Sequence, residues 1–255
     1  MAAEAKTNGD AILLLDFANA FNTVSRNLLI SLTARMCPEL ANLAWWLYKL
    51  EPRLLTATGE AVRSSSGTQQ GCRLSYPLFA LAMEYIAEKL EGIPGLRCTL
   101  FYWDDTALVG SPSALATAAR IIADCAHETG LELRWKKCHL YGTPTTIDKC
   151  RSLQNPSFPT TITFHADLNI EYLKTPIGSD GFVNLWMTSK LQELTQAINS
   201  ISAMKWKHEA ATLLKHCGTF CRVVHLIRTV PPRQIEASIG ELDSTIRGAF
   251  EGLLC

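Results

Sequence analysis

The sequence predicts an α+β fold, and three observations carry that prediction. An apolar run at residues 11–15 follows Gly9-Asp10 and ends abruptly in Asp16, as a strand buried on both faces would. A second apolar segment, residues 97–109, is bent at Asp104-Asp105. Between and beyond them the apolar residues recur at helical spacing. Taken in order, the pattern contains a split β-α-β arrangement of the ferredoxin-like kind, followed by a separate helical layer.

Residues 26–50 read as helical, with Pro38 starting a second helix after Cys37, because the first helical position needs no amide donor. Residues 54–65 read as a hairpin around Thr58-Gly59-Glu60. Residues 74–90 are apolar at 78, 81, 82, 85, 86 and 90, the stripe of an amphipathic helix. Strand, turn and strand follow over 97–109, and Ser113 is the expected cap of a helix running to about Glu128 and stopped by Gly130. Residues 131–140 suit another strand. Residues 143–163, rich in Thr, Pro, Ser and Asn, read as a long loop, and 170–177 as a short strand ending at Pro176 and Gly178. Helices are expected at 183–203, 206–229 and 232–253, the last two parted by Pro231-Pro232.

Composition narrows the function. The 255 residues are 47% hydrophobic and 19% charged, which excludes a disordered linker. Lys and Arg number 24, as do Asp and Glu, so a strongly basic nucleic-acid coat is excluded while a local basic groove is not. Nine cysteines with no Cys-x-x-Cys pair point to a reducing compartment rather than a disulfide scaffold. There is no basic start followed by an apolar stretch and no apolar run near the ~18 residues of a membrane span. An intracellular chain without signal peptide or membrane contact is therefore expected, in nucleus or cytoplasm.

Three carboxylates stand out by position. Asp16 ends a strand, and Asp104 and Asp105 share a bend between apolar segments. Adjacent acids raise each other's pKa, a cost that a divalent cation removes. If residues 11–16 and 98–104 are neighbouring strands, the three converge on one edge, suited to two Mg²⁺ ions about 3.5–4 Å apart. Taken one at a time, Asp-Asp is also a common turn former and Asp16 a plausible cap.

Six segments extend the reading beyond the acids. LLLDFANAFNTVSRNLL at residues 13–29 resembles the first palm motif of reverse transcriptases from non-LTR retrotransposons. GTQQGCRLSYPLFAL at 67–81 resembles their glutamine-glycine motif, and FYWDDTALVG at 101–110 their Tyr-x-Asp-Asp hairpin. GLELRWKKC at 130–138 is similar to the lysine-bearing strand that follows, LKTPIGS at 173–179 to the primer-grip turn, and LIRTVPP at 226–232 to a thumb segment. The segments occur in the family's order.

The resemblance implies a polymerase palm over 1–179 and a helical thumb-like region over 180–255. It implies addition of deoxynucleotides to a primer 3′ end, with an RNA or DNA template and deoxynucleoside triphosphates as partners. Asp16, Asp104 and Asp105 match the catalytic acids, with the Phe17 carbonyl as a further ligand of Mg²⁺, or Mn²⁺ in its place. Phe21 matches the ring that excludes a 2′-hydroxyl, Gln70 and Gly71 lie where nucleotide and template meet, and Lys137 matches a proton donor to pyrophosphate. Departures from the pattern are Asn22, Cys72, Arg73, Tyr76, a late Pro77 and Trp103. Only 15 residues precede Asp16, so the fingers region is expected to be missing and primer extension by the chain alone to be feeble or absent. The rival reading is a catalytically silent retroelement remnant that binds nucleic acid or protein. His216, Cys217, Cys221 and His225 fall on one expected helix, where a core stripe is favoured over a metal site.

Overall fold

The computed structural model describes residues 2–69, 71–153, 158–159, 161–218 and 220–254. It divides into two units, Met1–Asp167 and Leu168–Cys255. The first holds α1 (Ala2–Asn8), β1 (Ala11–Asp16), α2 (Ala20–Thr23), α3 (Arg26–Met36), α4 (Pro38–Tyr48), β2 (Arg53–Leu55), β3 (Ala61–Arg63) and α5 (Ser75–Leu90). It continues through β4 (Leu96–Tyr102), β5 (Asp105–Gly110), α6 (Pro112–Thr129), β6 (His139–Tyr141), α7 (Pro144–Ser152) and β7 (Thr163–His165). The second holds the hairpin β8 (Ile170–Tyr172) and β9 (Thr175–Ile177), then α8 (Asp180–Ser202), α9 (Lys207–Cys217), α10 (Val224–Thr229) and α11 (Pro232–Leu254). This is the α+β class that the sequence predicts.

The main sheet has the order β4-β5-β1-β6-β7. β1 runs antiparallel to both neighbours, and β6 pairs with β7 in parallel. The condition that residues 11–16 and 98–104 be neighbouring strands is not met: β5 lies between β1 and β4, and Asp105 belongs to β5. Alternation along the strands sends Leu13, Leu15, Leu108 and Leu140 into a core with Leu78, Phe79 and Ile86 of α5 and Leu115 and Ile122 of α6. In the second unit, Val183, Met187, Leu191, Leu194 and Ile198 recur at helical spacing along α8 and pack with Leu214, Leu226, Ile235 and Leu242.

Several expectations are corrected. Residues 131–140 are not one strand: Leu133 bridges Phe17, a 3₁₀ turn occupies Trp135–Lys137, and pairing resumes only at β6. The cause is register. From Phe17 back to Leu14 is three positions, whereas from Leu133 to its counterpart His139 is six, and the three surplus residues are taken up in the turn. The loop expected at 143–163 contains α7, capped by the Thr143 side chain with Pro144 in its first turn, and ends at β7; residues 154–157 and 160 lie outside the described residues. Ser111, not Ser113, caps α6, accepting from the Ala114 amide. Residues 170–177 form a hairpin, with Leu173 and Lys174 both at positive φ. The helix expected at 206–229 breaks at Gly218, so the His and Cys residues do not share one helix, and Cys217 and Cys221 are exposed rather than core. Among the described residues, no helix is long and apolar enough to cross a membrane.

Thiol chemistry tests this burial. Cys125, Cys138 and Cys150 are buried, and burial pushes the Cys138 thiol up to about 11 and Cys150 to about 12. Cys98, Cys217 and Cys221 are exposed. A colorimetric thiol titration at pH 8 is expected to modify the exposed three in the native protein and the buried three only in denaturant. Folding keeps the buried thiols neutral while the unfolded chain ionises them near pH ~8.5. Stability therefore falls as pH rises above that value toward 11 and 12.

Candidate active site

The β1–β5 register sets Asp16 directly opposite Asp105, and the β4–β5 register sets Tyr102 opposite Asp105. The row Tyr102, Asp105, Asp16 therefore crosses three strands on one sheet face, opposite to the face that carries Leu13, Leu15 and Leu108 into the core. Directly opposed antiparallel residues have Cβ atoms about 4.5–5.5 Å apart. Asp104 adjoins this row, in the two-residue turn Trp103-Asp104 that closes β4 onto β5. On the other side of β1, the Arg134 amide donates to the Asp16 carbonyl at 2.8 Å and the Ala18 amide to the Glu132 carbonyl at 2.8 Å. Strand alternation then directs the Phe17 carbonyl away from Leu133, to the side where β5 and its turn lie. Asp16, Phe17, Asp104 and Asp105 are thus brought together.

Opposed like charges destabilise a strand pair. Arg134 offsets part of this, with its Nε 3.8 Å from Asp16 Oδ2, beyond hydrogen-bond range. That oxygen is shielded from solvent and accepts no hydrogen bond among the described residues, a state that is costly for a carboxylate. A divalent cation satisfies such an oxygen, so the residues fit one. Among the described residues no three His, Cys, Asp or Glu side chains are gathered closely enough to hold a metal by themselves. Mg²⁺ commonly takes one or two carboxylates and completes its shell with water and substrate phosphate.

Phe21 lies on the short α2, whose backbone is laced to the loop preceding α5. The Thr68 amide donates to the Phe21 carbonyl at 2.7 Å, Ser66 Oγ to the Asn22 carbonyl at 3.0 Å, and the Gly67 amide to the Val24 carbonyl at 2.9 Å. A Cβ on Gly67 would lie 2.4 Å from the Asn22 carbonyl group, and its φ is +71°. Buried Arg26 secures the same loop, donating from Nε to the Gly67 carbonyl at 2.8 Å and from Nη2 to Ser64 Oγ at 2.7 Å. Burial lowers its pKa, against the opposing influence of Tyr48 and Glu51. Gly71 sits at φ +85° in this loop with open space around it. Gln70 lies outside the described residues.

The Phe21 ring stacks on buried Phe79, centroids 4.3 Å apart, and meets Tyr76 and Trp103 edge-on at 5.7 and 5.9 Å. Tyr76 and Trp103 are 4.2 Å apart, and Tyr102 stacks parallel to Trp103 at 5.8 Å. Trp103 takes φ +60° at the first turn position, where a two-residue hairpin loop favours glycine. Such a conformation costs about 1–3 kcal/mol. Ring pairs contribute about 0.5–1.5 kcal/mol each, so the three contacts of Trp103 are enough to hold it there.

Lys137 is exposed on the 3₁₀ turn, and among the described residues no contact joins it to the acids. The cation beside Asp16 is Arg134, three residues before Lys137. The hint was its place four residues after Gly130, beside the segment that pairs with Asp16–Ala18.

Two glycine variants separate close approach from conformation. Gly67→Ala is expected to lower unfolding free energy by at least about 2 kcal/mol, because strain and a backbone clash combine. Gly71→Ala, with no neighbour within 4 Å, is expected to cost only about 1 kcal/mol. Urea midpoints at unchanged m-value read the difference.

Comparison with known proteins adds to this geometry. A family model described as reverse transcriptase (RNA-dependent DNA polymerase) matches residues 1–173. No curated protein matches the chain in sequence. Among solved structures, the chain is similar to telomerase from Candida albicans in complex with a TWJ fragment of telomeric RNA, at 11% identity and TM-score 0.47, covering 98% of this chain and 47% of that one. It is also similar to apo telomerase from Candida tropicalis, at 10% identity and TM-score 0.50, covering 98% and 49%. The chain spans about half the length of these solved structures, and at such identity the second likeness concerns the fold alone.

Proposed function

The chain belongs to the reverse transcriptase (RNA-dependent DNA polymerase) family, and we propose that Asp16, Asp104 and Asp105 form the polymerising centre of an RNA-directed DNA polymerase domain of the non-LTR retroelement type. The observation that carries the reading is Asp16 facing Asp105 across β1 and β5, with Asp104 in the adjoining turn. The retroelement type is supported by the six ordered segments from residue 13 to residue 232. The substrates are a primed RNA or DNA template and deoxynucleoside triphosphates.

Each residue has a part. The three carboxylates and the Phe17 carbonyl would hold divalent metal, Mg²⁺ or Mn²⁺, with water and substrate phosphate completing its shell. Bound there, the metal supplies charge neutralisation at the attacked phosphate and a lower pKa for the primer 3′-hydroxyl. Arg134 restrains Asp16 from the far side of β1. Phe21, backed by Phe79, limits room beside the sugar and so disfavours a 2′-hydroxyl. The loop with Gln70 and Gly71 borders the nucleotide, and its link to α2 through Gly67 and Thr68 couples it to Phe21. Lys137 serves as proton donor to pyrophosphate on the resemblance of residues 130–138 alone.

Primer extension on an RNA template with Mg²⁺ or Mn²⁺ is the test. Extension by the chain alone is expected to be feeble and that by a chimera carrying a related fingers segment stronger, with Asp104→Asn lowering the rate of the chimera by at least about a thousandfold. No extension under either metal by the chain or the chimera, or equal extension by Asp104→Asn, overturns the proposal and favours a nucleic-acid-binding or protein-binding module.

A further inference from the structure

The Asp104 carboxylate makes no hydrogen bond or ion pair among the described residues, and it is exposed. Its place is set by the backbone of the Trp103-Asp104 turn. That backbone carries the unfavourable φ of Trp103, and the strongest ring contact on Trp103 comes from another element, Tyr76 near the start of α5. Tyr76 is itself anchored. Ser75 before it donates through Oγ to the Gln69 carbonyl, and the Leu78 amide donates to the Leu74 carbonyl at 3.1 Å. The two rings also share Phe21 as a neighbour.

We infer that Tyr76 is a positioning residue: its ring, stacked on Trp103, holds the Asp104 turn in the shape that presents the carboxylate to metal, and it ties that turn to the loop bearing Gly71. This rests on the metal-binding reading above. Residues 76 and 103 then work as a pair. A tryptophan at positive φ holds its turn only while Tyr76 braces it, whereas a glycine at 103 adopts the same φ without a brace. Tyr76 contributes no polar group to the acids, so its phenyl ring alone suffices.

The experiment compares the full chain with Tyr76→Phe, Tyr76→Ala, Trp103→Gly and Tyr76→Ala combined with Trp103→Gly. Calorimetric titration with Mn²⁺ alone gives affinity, and the order parameter of the Asp104 amide by ¹⁵N relaxation gives turn rigidity. Tyr76→Phe and Trp103→Gly are expected to match the wild type. Tyr76→Ala is expected to weaken Mn²⁺ affinity by about tenfold, the usual effect of removing a residue that orients a metal ligand, and to loosen the Asp104 amide. In the Trp103→Gly background the same change is expected to do neither. A residue of merely structural importance would lower the melting temperature equally in both backgrounds and leave affinity and order parameter unmoved, which overturns the inference. If the wild type binds no Mn²⁺, the metal-binding reading fails. The order parameters then still decide the brace: it stands if Tyr76→Ala loosens Asp104 only when Trp103 is present, and falls otherwise.

Discussion

The antiparallel register of β1 against β5 is the constraint on which the rest depends. It alone places Asp16 opposite Asp105, and a slip of one residue would send one of them to the helix-covered face. Apolar alternation does little to enforce it, because β1 and β5 are buried on both sides. Leu13 and Leu108 are buried on one face, and Ile12, Ala107 and Val109 on the other. Features at the two ends fix the β4–β5 hairpin, and one of them, the Arg97–Asp10 ion pair, ties that hairpin to the start of β1. At one end the two-residue turn closes Tyr102 onto Asp105. At the other, Arg97 Nε meets the buried Asp10 carboxylate at 2.6 Å, and Gly110 admits the Gly95 carbonyl where a Cβ would lie 2.6 Å from it. Losing Arg97 would leave a buried charge unpaired, so this ion pair matters more for placement than its half-exposed arginine suggests.

Around the acids the structure accepts local costs and offsets them nearby. Opposed carboxylates, a shielded oxygen without a donor and a tryptophan at positive φ are each unfavourable alone. Arg134 offsets part of the charge on Asp16, and the ring cluster offsets the φ of Trp103. The Asp16 oxygen, 3.8 Å from Arg134, still accepts no hydrogen bond among the described residues, and a cation suits it. Concentrated strain of this kind, set in an otherwise consistent fold, is what a reactive site looks like from its energetics.

Much of this was legible in the sequence because it is local. The buried run ending in Asp16, the hairpin bearing Asp104 and Asp105, and the stripe of α5 are short-range patterns, and each became the expected element. The failures are long-range or turn-level. Trp135–Lys137 turned into a 3₁₀ segment because two separate pairings to β1 differ in register by three residues, which no window on 131–140 reveals. Thr143-Pro144 begins a helix as readily as a loop, and composition pointed to the loop. Tyr76 and Trp103 stood in the sequence as two unrelated departures, 27 positions apart, and only folding makes them neighbours. Arg134 was visible as a charge, but its partner Asp16 lies 118 positions away.

Three carboxylates, one from β1 and two from the β4–β5 hairpin, are proposed to make one divalent-cation site. Paramagnetic broadening of backbone amide signals by substoichiometric Mn²⁺ tests it most directly, since broadening falls steeply with distance and needs no catalysis. The account predicts that amides of residues 16–18 and 103–106 broaden first and together, and that excess Mg²⁺ restores them. Broadening centred elsewhere, or at 16–18 without 103–106, would contradict it.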